Sequence, residues 1–101
     1  MYNDSALKID EIAERILTID GLPLHSFEDY LANSSISAKK NIHDGETAVT
    51  SIVEDLNSIL AMEKAIKEDA SSAGDDATED LMSDFIDEQE KTLWMMKAWL
   101  K

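Results

Sequence analysis

Apolar residues recur along this chain at the 3–4 spacing of helix faces, and three long segments carry the pattern. In the first, Ile9, Ile12, Ala13, Ile16 and Ile19 form the main stripe, while Lys8, Glu11 and Arg15 fall on the opposite side and are predicted to be solvated. Leu7, Asp10, Glu14 and Leu17 make a separate row along the flank. The spacing predicts a helix over about 2–20, stopped by Gly21-Leu22-Pro23. Within the irregular stretch that follows, Ser26-Phe27-Glu28-Asp29 has the form of a helix start, so a short helix is predicted near 26–32, with Asn33-Ser34-Ser35 as loop. Asp44-Gly45-Glu46 opens a second long helix near 45–72. Its stripe is Val49, Ile52, Val53, Leu56, Ile59, Leu60 and Ile66, and it fades at Ser71-Ser72-Ala73-Gly74. A third, near 75–100, starts at Asp75 or Asp76, where Asp76 with Glu79 resembles a capping box. Ala77, Leu81, Met82, Phe85, Ile86 and Leu93 carry its stripe. The fold class is all-α, and residues 1–101 are read as a single domain.

Composition agrees with long helices and few turns: three Gly, one Pro and 44% apolar residues in 101. Charge changes the picture more. There are 22 acidic residues against 9 basic, a formal net of −13, and Lys39-Lys40 is the only adjacent basic pair. Such a chain repels nucleic-acid phosphates and anionic membranes, so DNA binding is not expected; cations, basic proteins or copies of itself are the expected partners. The chain contains no cysteine, which excludes disulfides and thiolate metal sites and fits a cytoplasmic setting. No apolar run is long enough to span a membrane.

Two segments do not fit a lone three-helix bundle. From Leu93 to Leu100 every residue but Lys97 is apolar, so this helix end is greasy all round and points to an oligomer interface. Glu68 to Glu90 holds ten acidic and no basic residues. The macrodipole accounts for Asp75, Asp76 and Glu79 at a helix start. Asp80, Asp84, Asp87, Glu88 and Glu90 continue beyond its reach. Either they form a solvated acidic face, or a symmetric assembly gathers them into a cation-attracting mouth.

The sharpest chemistry is in Ile9-Asp10-Glu11-Ile12-Ala13-Glu14-Arg15. Asp10 and Glu14 stack one helical turn apart, where like charges repel by roughly a few tenths of a kcal/mol. A shared cation would offset that repulsion, and the bracketing leucines predict a partly buried edge that meets another subunit. Spacing alone fits an ordinary polar flank as well. His25 and His43 lie in the irregular segment without partners at ligand spacing and are read as surface histidines. Ser34, Ser35 and Ser37 have no nucleophile motif around them, and no Gly-rich phosphate loop is present.

The Asp10-to-Arg15 string, with Gly21-Leu22-Pro23-Leu24, Glu28-Asp29-Tyr30-Leu31-Ala32-Asn33-Ser34-Ser35-Ile36, Gly45-Glu46-Thr47-Ala48 and Trp94-Met95-Met96-Lys97-Ala98, resembles the Dps-type miniferritins, ferritin-like proteins of starved cells. The resemblance runs in order over essentially the whole chain. It implies a ferritin-like four-helix-bundle subunit that assembles into a hollow dodecamer. Such shells bind Fe(II) between two-fold-related subunits, oxidise it (typically with hydrogen peroxide) and store the ferric mineral, which protects against oxidative stress. In the family motif the Asp and Glu four apart are iron ligands, matching Asp10 and Glu14; Asp75, Asp80 and Asp84 match its acidic three-fold pore.

The departures are specific. The first helix of the family, the start of its second helix and the two histidine ligands found there have no counterpart in these residues. The expectation is an N-terminally truncated member carrying half of the ferroxidase site, inactive by itself. His25 and His43 do not align with the missing ligands. Asp20 stands where the family often has glycine and Thr92 where it often has histidine. The basic DNA-binding tail of some members is absent. The alternative from another class is a non-catalytic acidic helical module that mimics nucleic acid or binds a basic partner.

Overall fold

The computed structural model describes residues 2–21, 23, 28, 32–36 and 44–101. Three helices stand in it: α1, Tyr2–Thr18; α2, Gly45–Ala73; and α3, Asp76–Leu100. No strand occurs among the described residues. The short helix expected near 26–32 lies outside them, apart from Glu28, Ala32 and Asn33, whose backbone is helical. Residues 1–35 and 36–101 form separate compact units.

In the larger unit, α2 and α3 form an antiparallel hairpin. Asp44 caps α2: its carboxylate accepts from the Thr47 backbone N–H at 2.8 Å and from the Thr47 hydroxyl at 2.8 Å. These two bonds, the backbone one first, hold the Asp44 carboxyl below its usual 3.8. A depressed folded value means the contribution is complete above pH 3.8 and is lost as pH falls through the lower folded value. Asp44→Asn keeps an acceptor but cannot titrate. The stability difference between wild type and Asp44→Asn should therefore shrink as pH falls below that range, as read by denaturation followed through helicity.

Helix α2 ends at Gly74, whose φ of 74° only glycine adopts at little cost. The turn is closed by Gly74 N–H to Ser71 O (3.1 Å) and Asp75 N–H to Ala70 O (2.8 Å). A single residue then separates Gly74 from α3. Asp75 occupies that place and caps α3 by accepting from the Thr78 backbone N–H at 3.2 Å and the Thr78 hydroxyl at 2.5 Å. This corrects the Asp76/Glu79 capping box: Asp76 is already inside the helix and cannot cap it.

The hairpin core is Leu56 and Leu60 against Met82, Phe85, Ile86 and Leu93, flanked by Ile52, Val53, Leu81 and Met96. Two members of the predicted stripes, Ile66 and Ala77, are exposed instead. On α2 the inward phase runs through Leu56, Leu60, Glu63 and Ala70, and Ile66 sits roughly 75° off its centre. Glu63 is thus a buried carboxylate in an apolar interface, and the Gln89 amide donates to it from α3. Sequence pattern gave no sign of it. An exposed ion pair, Lys64 Nζ to Glu90 Oε2 at 3.3 Å, crosses the same pair of helices.

Helix α1 departs from its predicted facing. Lys8 is 8% exposed, with its ammonium 2.7 Å from the Asp4 carboxylate, whereas Ile9 is 54% exposed. The predicted solvated side therefore holds the one buried residue described in this helix. Lysine permits this because its four-carbon stem is apolar and only the head needs a charged partner. The helix ends through Asp20 N–H to Leu17 O (3.1 Å) and Gly21 N–H to Ile16 O (2.7 Å). Asp20 adopts φ 68°, and a β-carbon on Gly21 would sit 2.7 Å from Ile16 Cγ2. Asp20→Gly should raise the thermal stability of the helical signal, by roughly 0.5–1 kcal/mol, because it relieves left-handed strain. A lower melting temperature would contradict this account of the turn.

Candidate metal centre

Asp10 and Glu14 arise from the middle of α1, one turn apart on one side. Both carboxylates are exposed, and so are Leu7 and Leu17, which bracket them. The expected partly buried edge is therefore an open one in this chain, because the leucines that would desolvate it are themselves uncovered. Glu11 is exposed too, about 100° round the helix from Asp10 and about 60° from Glu14. The Glu14 backbone carbonyl accepts from the Thr18 hydroxyl at 2.7 Å, which leaves its carboxylate out of that bond.

Chemically the pair offers up to four hard oxygen donors, suited to Fe(II), Mn(II), Mg(II) or Ca(II). Two carboxylates cannot fill six coordination positions; other ligands or water must supply the rest. Among the described residues, no group of three or more His, Asp or Glu is placed to hold a metal. His25 and His43 lie outside the described residues.

Of the expected pore residues, Asp80 and Asp84 are exposed and one turn apart on α3. Asp75 differs from them: it is half-buried, and both its oxygens accept from Thr78 as the helix cap. At the other end of α3, Leu93 is buried and Met96 half-buried, while Trp94 and Trp99 are 69% and 63% exposed. The greasy cylinder thus has one side on α2 and the remainder open. No helix among the described residues is long and apolar enough to cross a membrane.

Comparison with known proteins places this arrangement. The family model for the ferritin-like domain matches residues 2–101. A DNA protection during starvation protein of Porphyromonas gingivalis is 40% identical over 99 residues, covering 98% of this chain and 62% of the relative. DNA protection during starvation protein 2 of Bacillus anthracis is 39% identical over 100 residues, covering 99% of this chain and 68% of the relative. The chain belongs to the ferritin-like family, in its Dps branch. The crystal structure of a Dps from Vibrio cholerae, described as a ferritin-like diiron-carboxylate protein, superposes with a TM-score of 0.96 at 45% identity, covering 99% of this chain and 63% of that one. The Dps-type chain therefore spans less than two thirds of the Porphyromonas and Vibrio relatives. Its three helices are the part of the ferritin-like fold those proteins share with it.

Proposed function

We propose that this chain is an iron-handling Dps-type subunit in which Asp10 and Glu14 are the carboxylate half of a ferroxidase site. Fe(II) is the substrate, oxidised with hydrogen peroxide and stored as ferric mineral, as protection against oxidative stress. The observation that carries the reading is the pair itself: two exposed carboxylates one turn apart, on α1 of a Dps-branch chain. Their part is to hold the cation and set its approach, while ligands from outside these residues complete the coordination. Asp80 and Asp84, with Asp75 at the cap, would draw cations toward the interior of an oligomeric shell through their summed negative field. Residues 1–101 would contribute one ferritin-like domain to a subunit of that shell, in the cytoplasm. DNA is not a ligand in this reading, since a net charge of −13 opposes phosphate contacts.

The test on the chain as it stands is anaerobic Fe(II) titration, with Mn(II) as a surrogate. Weak binding is expected, because two carboxylates leave most positions to water, and it should be lost in the doubly substituted Asp10→Asn, Glu14→Gln chain. Binding of equal strength in that chain would remove the pair from the reading.

A further inference from the structure

We propose that Asp20-Gly21 is a self-modification site, where the chain converts aspartate to iso-aspartate through a cyclic imide when the last turn of α1 opens. Two of the three glycines follow an aspartate, at Asp20-Gly21 and Asp44-Gly45. This order of residues favours cyclisation, since glycine has no β-carbon to shield its amide nitrogen from the neighbouring carboxyl. The two steps stand at opposite kinds of helix end and are held in different ways. Asp44 has its electrophile pinned, because its carboxylate accepts twice from Thr47, at 2.8 Å each. The same bonds, the backbone one first, hold the Asp44 carboxyl below its usual range and so in the less reactive ionised form. At Asp20 the nucleophile is held instead: the Gly21 N–H donates to the Ile16 carbonyl at 2.7 Å. That bond closes a terminal turn, and terminal turns fray at little free-energy cost. Asp20 also carries a left-handed φ of 68°, a strain that opening relieves. No larger residue fits at 21 without moving Ile16, whose Cγ2 would lie 2.7 Å from a β-carbon there. The turn thus requires the glycine, and the aspartate before it makes the step reactive.

The step is intramolecular and changes no oxidation state. The Gly21 nitrogen attacks Cγ of the protonated Asp20 carboxyl and the N–Cγ bond forms. One carboxyl oxygen leaves as water, carrying the carboxyl proton and the amide proton. Water then opens the five-membered imide at either carbonyl. Attack at Cγ restores aspartate. Attack at the α-carbonyl leaves the main chain running through the side-chain carbonyl, one methylene longer, beside a free α-carboxylate. Mass and net charge are the same before and after. The added methylene removes the spacing by which Gly21 reaches Ile16, so α1 loses its closing bond. Water is the only other reactant, and the inference does not rest on iron at Asp10 and Glu14.

The experiment incubates the whole chain in native buffer and in denaturant. Iso-aspartate is located by peptide mapping with electron-transfer fragmentation and quantified by labelling with an isoaspartyl methyltransferase. In denaturant Asp20 and Asp44 should react at rates within about twofold of each other, as like dipeptides in an open chain. In native buffer Asp20 should outpace Asp44 by at least about threefold and stay at least about threefold below its own denatured rate, since the closed turn holds the nucleophile. Asp20→Glu, whose imide would need a six-membered ring, and Asp20→Gly, which has no carboxyl, should give no such product at this position. The isomerised chain, separated by chromatography, should melt below the parent, and Asp20→Gly incubated alongside should keep its melting temperature. Absence of iso-aspartate at Asp20 in both conditions, equal native rates at Asp20 and Asp44, a native rate at Asp20 equal to its denatured one, or an isomerised chain that melts with the parent would each overturn the proposal.

Discussion

Phe85→Ala is expected to cost about 3–5 kcal/mol of stability, the usual range for deleting a buried aromatic ring. Phe85 lies at 4% exposure in the cluster where Leu56 and Leu60 of α2 meet Met82, Ile86 and Leu93 of α3. The hairpin has no second layer among its described residues from which to refill the cavity. For a domain whose whole stability falls at roughly 5–15 kcal/mol, and near the lower end at this size, such a loss removes most of the folded population. The contrasting change is Trp94→Ala at the exposed end of α3, which should shift stability by no more than about 0.5 kcal/mol. Urea denaturation followed through helicity separates the two. Equal midpoints for Phe85→Ala and wild type would mean that this cluster is not what holds the hairpin.

Much of this core was legible from spacing. Leu56, Leu60, Met82, Phe85, Ile86 and Leu93 recur at helical intervals, and Asp44 and Gly74 mark the ends of α2 by their ordinary chemistry. What spacing missed has a common cause. Periodicity assigns faces by polarity, so it puts Lys8 outside and passes over Glu63, yet each is buried with a polar partner: Asp4 for the lysine, Gln89 for the carboxylate. A pairing between residues that are distant in sequence, such as Glu63 with Gln89, leaves no periodic trace. Ile66 shows the complementary error, an apolar residue rotated just off the inward phase. The cap at Asp75 rather than Asp76 was a matter of one residue, settled by how tightly the left-handed Gly74 turns the chain.

For the site, the Asp10–Glu14 spacing was legible and its meaning was not, because stacked carboxylates on a helix flank serve solvation as readily as metal binding. The role proposed for them comes from the family resemblance alone. Asp20 illustrates how the two kinds of reading meet. The resemblance places glycine there, and the left-handed φ of 68° gives the physical reason glycine would suit the position.

The second large effect concerns iron oxidation. A hybrid in which residues 2–101 replace the matching stretch of the Porphyromonas gingivalis relative would present Asp10 and Glu14 with whatever ligands the rest of that protein supplies. Asp10→Asn and Glu14→Gln preserve shape and exposure but remove an anionic oxygen donor each. A neutral amide oxygen is a much poorer ligand for Fe(II), so the rate should fall at least about tenfold, the lower bound for losing even a group that only supports a metal ligand. Assembly should survive, since both side chains are exposed in the chain and neither substitution changes volume. Glu11→Gln removes the same charge from the same helix, about 100° from Asp10 and about 60° from Glu14. It therefore separates coordination from a general loss of negative field.

The deciding measurement is the initial rate of peroxide-dependent Fe(II) oxidation by the assembled hybrid and its three variants, at equal subunit concentration. Asp10→Asn and Glu14→Gln should each lose at least about tenfold while Glu11→Gln stays within about twofold of the parent. Three variants with the same rate would show that Asp10 and Glu14 are a solvated flank of α1 and not iron ligands.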